Sequence, residues 1–87
     1  MVEKTLTIKN ESGLHMRPAG EFAKLATKCT SDVKIIHKEK TINAKSVLNI
    51  MAAGIKGGDE ITIQCDGDNE SDDLQVLVDA VESGLGE

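Results

Sequence analysis

Gly13-Leu14-His15-Met16-Arg17-Pro18-Ala19-Gly20 contains the most informative local signal in this chain. Pro18 has a fixed φ and no N–H to lose, so it belongs in the first turn of a helix. The helix is therefore predicted to begin near Met16 or Arg17, with His15 at its cap. There the imidazole meets the unpaired backbone N–H groups and the positive end of the helix dipole, and the Arg17 guanidinium lies two residues away. Such a place suits a phosphoryl group. The positive surroundings disfavour the imidazolium, keep the ring neutral and nucleophilic, and stabilise negative charge placed on its nitrogen. The simpler alternative is a histidine that only caps the helix or decorates the surface, and the rest of the chain must separate the two.

Outward from this segment, Leu6 and Ile8 alternate with Thr5 and Thr7, the period of a half-buried strand, and Asn10–Gly13 makes a turn. Ala19, Phe22, Ala23 and Ala26 recur at helical spacing and give a first helix its apolar face, which the polar stretch Thr27–Asp32 ends. Val33–Ile36 and Thr41–Asn43 read as a hairpin across the charged stretch His37–Lys40, with no glycine in the turn. Ser46 fits the N-cap of a second, short helix carrying Val47, Ile50 and Met51, and Gly54 suits its end. The glycine turn Lys56–Asp59 leads into Ile61, Ile63 and Cys65, which alternate with Thr62 and Gln64 in a fourth strand. After Asp66–Asp68, Asn69 or Ser71 caps a third helix. Its first turn is acidic, with Glu70, Asp72 and Asp73, and Leu74, Leu77, Val78, Val81 and Leu85 form its stripe. Four strands and three helices imply a two-layer α+β sandwich. The pattern alone leaves open a ferredoxin-like sheet with an added helix.

At 87 residues the chain is expected to form one domain, residues 1–87, burying a little over ~60% of its unfolded surface. Its net stability should be about 4 to 13 kcal/mol. Phe22 is the only aromatic residue, so the core must be aliphatic. A net charge of −5, without aromatic platforms or a basic stripe, argues against nucleic acid as a partner and in favour of proteins. Cys29 and Cys65 fit neither a disulfide framework nor a metal site and read as small apolar residues in a reducing compartment. No cofactor or metal is implied. The N-terminus lacks a signal-peptide core and no stretch approaches a membrane span, so a cytoplasmic location without membrane insertion is expected.

The segment GLHMRPAG closely resembles the active-site loop of the histidine-containing phosphocarrier family, HPr, of the bacterial phosphoenolpyruvate-dependent sugar phosphotransferase system. The resemblance covers the whole chain. Asn43–Met51, NAKSVLNIM, looks like the family's second motif; Gly54–Ile63, GIKGGDEITI, resembles the turn and last strand; and the terminal GLGE is familiar from Gram-positive members. Two departures are mild: Met16 stands where many members have alanine or threonine, and Gly20 lies inside a helix at a cost of ~1 kcal/mol relative to alanine. The resemblance implies an open-faced sandwich in the order βαββαβα, its antiparallel sheet ordered 1-4-2-3 and covered on one face by all three helices.

It also implies roles. His15 would accept phosphate, on Nδ1, from enzyme I and pass it to sugar-specific enzyme II A components, as a stoichiometric carrier rather than an enzyme and, we expect, as a monomer. Arg17 offers a planar fork of donors to the phosphoryl oxygens, and Pro18 fixes the helix start. Leu48 lies off the face used by Val47, Ile50 and Met51. With Met16 and Ala19 or Gly20 it is assigned to a docking surface, to which Val47 and Met51 also contribute. Ser46 is both a plain N-cap candidate and, by resemblance, a regulatory phosphorylation site. Its partners would be an HPr kinase/phosphorylase and a catabolite-control transcription regulator. His37, in a charged hairpin, is expected at the surface. The competing function is an HPr-like regulatory binding module acting in carbon catabolite control without sugar transport. A self-sufficient phosphatase would need a base, metal or positioned water near His15, and there is no carboxylate between Ser12 and Gly20.

Overall fold

The computed structural model describes residues 1–85; Gly86 and Glu87, the end of the GLGE terminus, lie outside the described residues. Strand β1 (Val2–Thr7) is followed by helix α1 (Met16–Lys28), the hairpin of β2 (Asp32–His37) and β3 (Lys40–Asn43), short helix α2 (Val47–Ala52), β4 (Glu60–Asp66) and α3 (Glu70–Glu82). The sheet has the order β1-β4-β2-β3, and every pairing is antiparallel. This is the order implied by the family resemblance, and it excludes the ferredoxin-like alternative.

Register places the apolar residues in rows. Ile63 of β4 faces Ile35 of β2, which faces Ile42 of β3, so a single inward row crosses three strands. Thr62 and Gln64 fall on the other face, which stays polar: Thr5 bonds Thr62 across β1 and β4 at 2.8 Å, and Gln64 donates to Glu3 at 2.8 Å. The helices cover the inward face. Ala19, Phe22, Ala23 and Ala26 of α1 and Leu77 and Val81 of α3 are buried there, with Phe22 the largest enclosed side chain. A period of 2 in β4 and of 3.6 in α1 converge on one core, and that convergence selects two layers.

The hairpin of β2 and β3 stands as expected and its turn type is now defined, while other local readings are corrected. The glycine-free turn between β2 and β3 holds Lys38 at φ 49° and Glu39 at φ 71°, the two left-handed positions that a two-residue type I′ turn requires. Asn69 occupies the N-cap of α3 but makes no side-chain cap bond, and Ser71 lies inside the helix. Instead Glu70 Oε1 accepts the Gly67 N–H at 3.2 Å. Asp73 does more than complement the dipole. It sits on the buried stripe, one turn before Leu77, where Oδ2 accepts the Ser31 hydroxyl at 2.6 Å and the Ser31 N–H at 3.1 Å, tying α3 to the loop before β2. The Ser31 hydroxyl bond is the main reason its carboxyl ionises more readily than usual. Both cysteines are buried free thiols; burial raises Cys29 and pushes Cys65 up to about 11, so neither is poised as a thiolate nucleophile.

Candidate phosphoryl-transfer site

His15 is the N-cap of α1, with extended backbone (φ −79°, ψ −165°), and its carbonyl accepts the first intrahelical bond from Ala19 N–H at 2.9 Å. The ring makes no capping bond to the helix and is exposed. The N–H groups of Met16 and Arg17 have no intrahelical partner, and Pro18 has no N–H to leave stranded. Pro18 is buried whereas His15, Met16 and Arg17 are exposed, so the proline anchors the turn and the histidine and arginine face solvent.

The loop carrying His15 is clamped against the turn after α2. Leu14, one residue before His15, donates its N–H to the Ile55 carbonyl at 3.0 Å, and its side chain is in the core. Gly13, at φ 71°, lies so close to this turn that a Cβ there would overlap the Ile55 oxygen and sit 2.6 Å from Lys56 Cα. Gly57 approaches from the other side, where a Cβ would be 2.6 Å from the Glu11 carbonyl. Two backbones in contact without intervening side chains give the histidine a rigid base.

Ser46 is the N-cap of α2, and its Oγ accepts the Asn49 N–H at 3.2 Å. Helix α2 packs against α1, and the large apolar side chains that the two helices expose are Met16 (71% exposed), Leu48 (78%) and Met51 (37%). Val47 is half-buried against the core and Ile50 is fully enclosed, so α2 divides its apolar residues between two faces as expected. Ala19 is a correction. It is 0% exposed because the residue after Pro18 turns into the core, and it contributes nothing to a surface. Gly20, half-buried with open space beyond its Cα, lies on the outer side instead.

His37 is the second correction. It is 4% exposed, and Nε2 lies 2.9 Å from Asp59 Oδ2. The carboxylate is kept ionised chiefly by the Lys56 N–H and then by His37, so it only accepts and Nε2 carries the proton. The signal was present in the sequence: Val33, Ile35 and His37 alternate, and a residue in phase with two buried aliphatics points inward. Among the described residues no group of three or more His, Cys, Asp or Glu side chains is brought together to hold a metal, and no helix is long and apolar enough to cross a membrane.

Residues 2–83 match the family model described as the PTS HPr component phosphorylation site. The phosphocarrier protein HPr of Mycoplasma capricolum subsp. capricolum is 44% identical over 77 residues, 88% of this chain and 86% of the relative. The crystal structure of HPr-C-His from Thermoanaerobacter tengcongensis superposes with TM-score 0.95 at 40% identity, covering 100% of this chain and 98% of that one. Crh, the catabolite repression protein of Bacillus subtilis, is also similar, with TM-score 0.76 and 32% identity over 95% of both chains. A histidine at the cap of α1, the 1-4-2-3 sheet beneath it and these matches agree: the chain belongs to the HPr family of phosphocarrier proteins of the phosphotransferase system.

Proposed function

We propose that this chain relays a phosphoryl group between proteins, with His15 as the carrier. The neutral ring attacks the phosphorus of a phosphohistidine on enzyme I through Nδ1. The donor P–N bond breaks as the new one forms, and the electron pair leaves with the donor imidazole. The same exchange in reverse delivers the group to a sugar-specific enzyme II A component. A labile P–N bond suits a brief stay. The observation that carries this reading is the exposed His15 ring at a helix N-cap, with Arg17 exposed two residues further along in the first turn. Partial positive charge from the helix and full charge from Arg17 offset the phosphoryl oxygens in a site open to a second protein.

Incubation with phosphoenolpyruvate and enzyme I should add one acid-labile phosphoryl group by mass spectrometry, and His15→Ala should abolish it. Arg17→Ala should slow transfer in both directions with the fold intact, since the side chain is exposed. Leu48→Asp should weaken association with both partners. Unchanged labelling of the His15 variant would end the proposal.

The similarity to Crh favours one addition, regulation at Ser46 by a serine kinase and a catabolite-control partner. Ser46 Oγ already accepts a helix N–H, so a phosphate there would sit where the dipole tolerates it. Its charge would fall beside exposed Leu48 and hinder docking. Ser46→Asp should take up phosphate from enzyme I more slowly at low salt and partly recover at high salt. A chain that binds the regulator but never labels at His15 would instead be a regulatory module.

A further inference from the structure

We propose that His37 and Asp59 are positioning residues for His15, holding its loop in place from the far side of the turn after α2. This rests on the carrier reading of His15 but invokes groups that the transfer chemistry does not touch. Asp59 Oδ2 accepts two bonds, from His37 Nε2 at 2.9 Å and from the Lys56 N–H at 3.0 Å, and the Asp59 N–H donates to the Lys56 carbonyl at 3.0 Å. The turn from Lys56 to Asp59 is thereby closed on itself and fastened to the end of β2. The same turn grips the His15 loop at both ends. Asp59 O accepts the Ile8 N–H and Ile8 O accepts the Gly58 N–H, both at 2.9 Å, where β1 ends; Ile55 O accepts the Leu14 N–H at 3.0 Å, one residue before His15.

The route from His37 to His15 is short and made of fixed groups: imidazole, carboxylate, Lys56 amide, Ile55 carbonyl, Leu14 amide. Each link is nearly inextensible. His37 is buried, its ring has little room to choose another rotamer, and the Gly13 and Gly57 contacts leave no slack between the two loops. Removing the imidazole donor frees Asp59 to turn toward water and loosens the Lys56–Asp59 turn, and the Leu14 amide loses a firm acceptor. The other charged side chains of these two turns, Lys38, Glu39, Lys40 and Lys56, are exposed and provide no equivalent anchor.

The test compares His37→Leu, which fills the space without a donor, with His37→Gln, whose amide N–H reaches the place of Nε2. In each variant His15 is the sole remaining histidine, so its ring resonances are unambiguous by NMR. The leucine variant should lose roughly three- to tenfold of the Leu14 amide's protection from hydrogen exchange, relative to the Ile63 amide in the central strand, the loss expected of one hydrogen bond. It should shift the His15 ring resonances and slow phosphoryl uptake from enzyme I by a similar factor, and the glutamine variant should restore all three. Equal loss at Leu14 and Ile63, a His15 spectrum identical to wild type, or glutamine behaving as leucine would overturn the proposal and leave His37 as ordinary core. The exchange and NMR arms need no enzyme I. A wild-type chain that takes no phosphate therefore defeats the carrier reading alone, while loss of Leu14 protection would still establish the clamp.

Discussion

Replacing Gly13 with alanine should damage this protein far more than its size suggests. The left-handed φ of 71° costs a residue with a Cβ about 1–2 kcal/mol. The new methyl would also overlap the Ile55 carbonyl oxygen and lie 2.6 Å from Lys56 Cα, and both are backbone atoms that cannot rotate aside. Relief means separating the two loops, which costs about 1–3 kcal/mol of packing and about 1 kcal/mol for the Leu14–Ile55 hydrogen bond. The total, about 3–6 kcal/mol, is a large share of the roughly 4–13 kcal/mol available to a chain of this length. Gly54 is the internal control. At φ 67° it carries the same backbone penalty, but nothing lies within 4 Å of a Cβ there, so Gly54→Ala should cost only about 1–2 kcal/mol. The chain has no Trp or Tyr, so unfolding is best followed by far-UV circular dichroism. The Gly13 variant should melt at least about 12 °C below wild type, and the Gly54 variant about 4–16 °C below. Equal midpoints for the two variants would show that φ alone matters and that the contact between loops is not tight.

The opposite sign is expected at Gly20, inside α1 with open space beyond its Cα: Gly20→Ala should raise stability by about 1 kcal/mol in urea denaturation. The turn of Lys38 and Glu39 places two non-glycine residues at positive φ, and Lys38→Asn with Glu39→Gly should stabilise by about 1–2 kcal/mol, read as a higher urea midpoint with unchanged slope. Ser46→Ala removes the cap bond to the Asn49 N–H and should cost about 1 kcal/mol. Asp73 ionises more readily folded than unfolded, so its contribution is complete above the unfolded value near about 3.9 and is lost as pH falls through the lower folded one. Asp73→Asn should therefore flatten the stability profile below about pH 4 and leave its slope at neutral pH unchanged.

Residues whose role depends only on near neighbours in the chain were legible in the sequence. Pro18 fixes its own φ, and hence where α1 begins and that His15 stands at its cap; Ser46 reaches only three residues to Asn49. The inward phase of Ile61, Ile63 and Cys65 follows from a period of two. Strand order did not follow from periodicity, because a half-buried strand reads the same at an edge or in the middle; the resemblance carried by GLHMRPAG and NAKSVLNIM supplied it. Tertiary structure decided whatever depends on two distant segments meeting. Ala19 and Gly20 are adjacent on one helix, and only the position of the core shows that the first is enclosed and the second faces outward. Asp73 looked like a dipole-complementing acid until Ser31, 42 residues earlier in the chain, was placed within hydrogen-bonding reach of it. His37 read as a surface residue because its chain neighbours are charged; its alternation with Val33 and Ile35 already marked it as inward, but only the folded sheet brings Asp59 to it. Charge near a residue in sequence reports the solvent side of a strand, whereas its partners across the core are set by register, which no local pattern encodes.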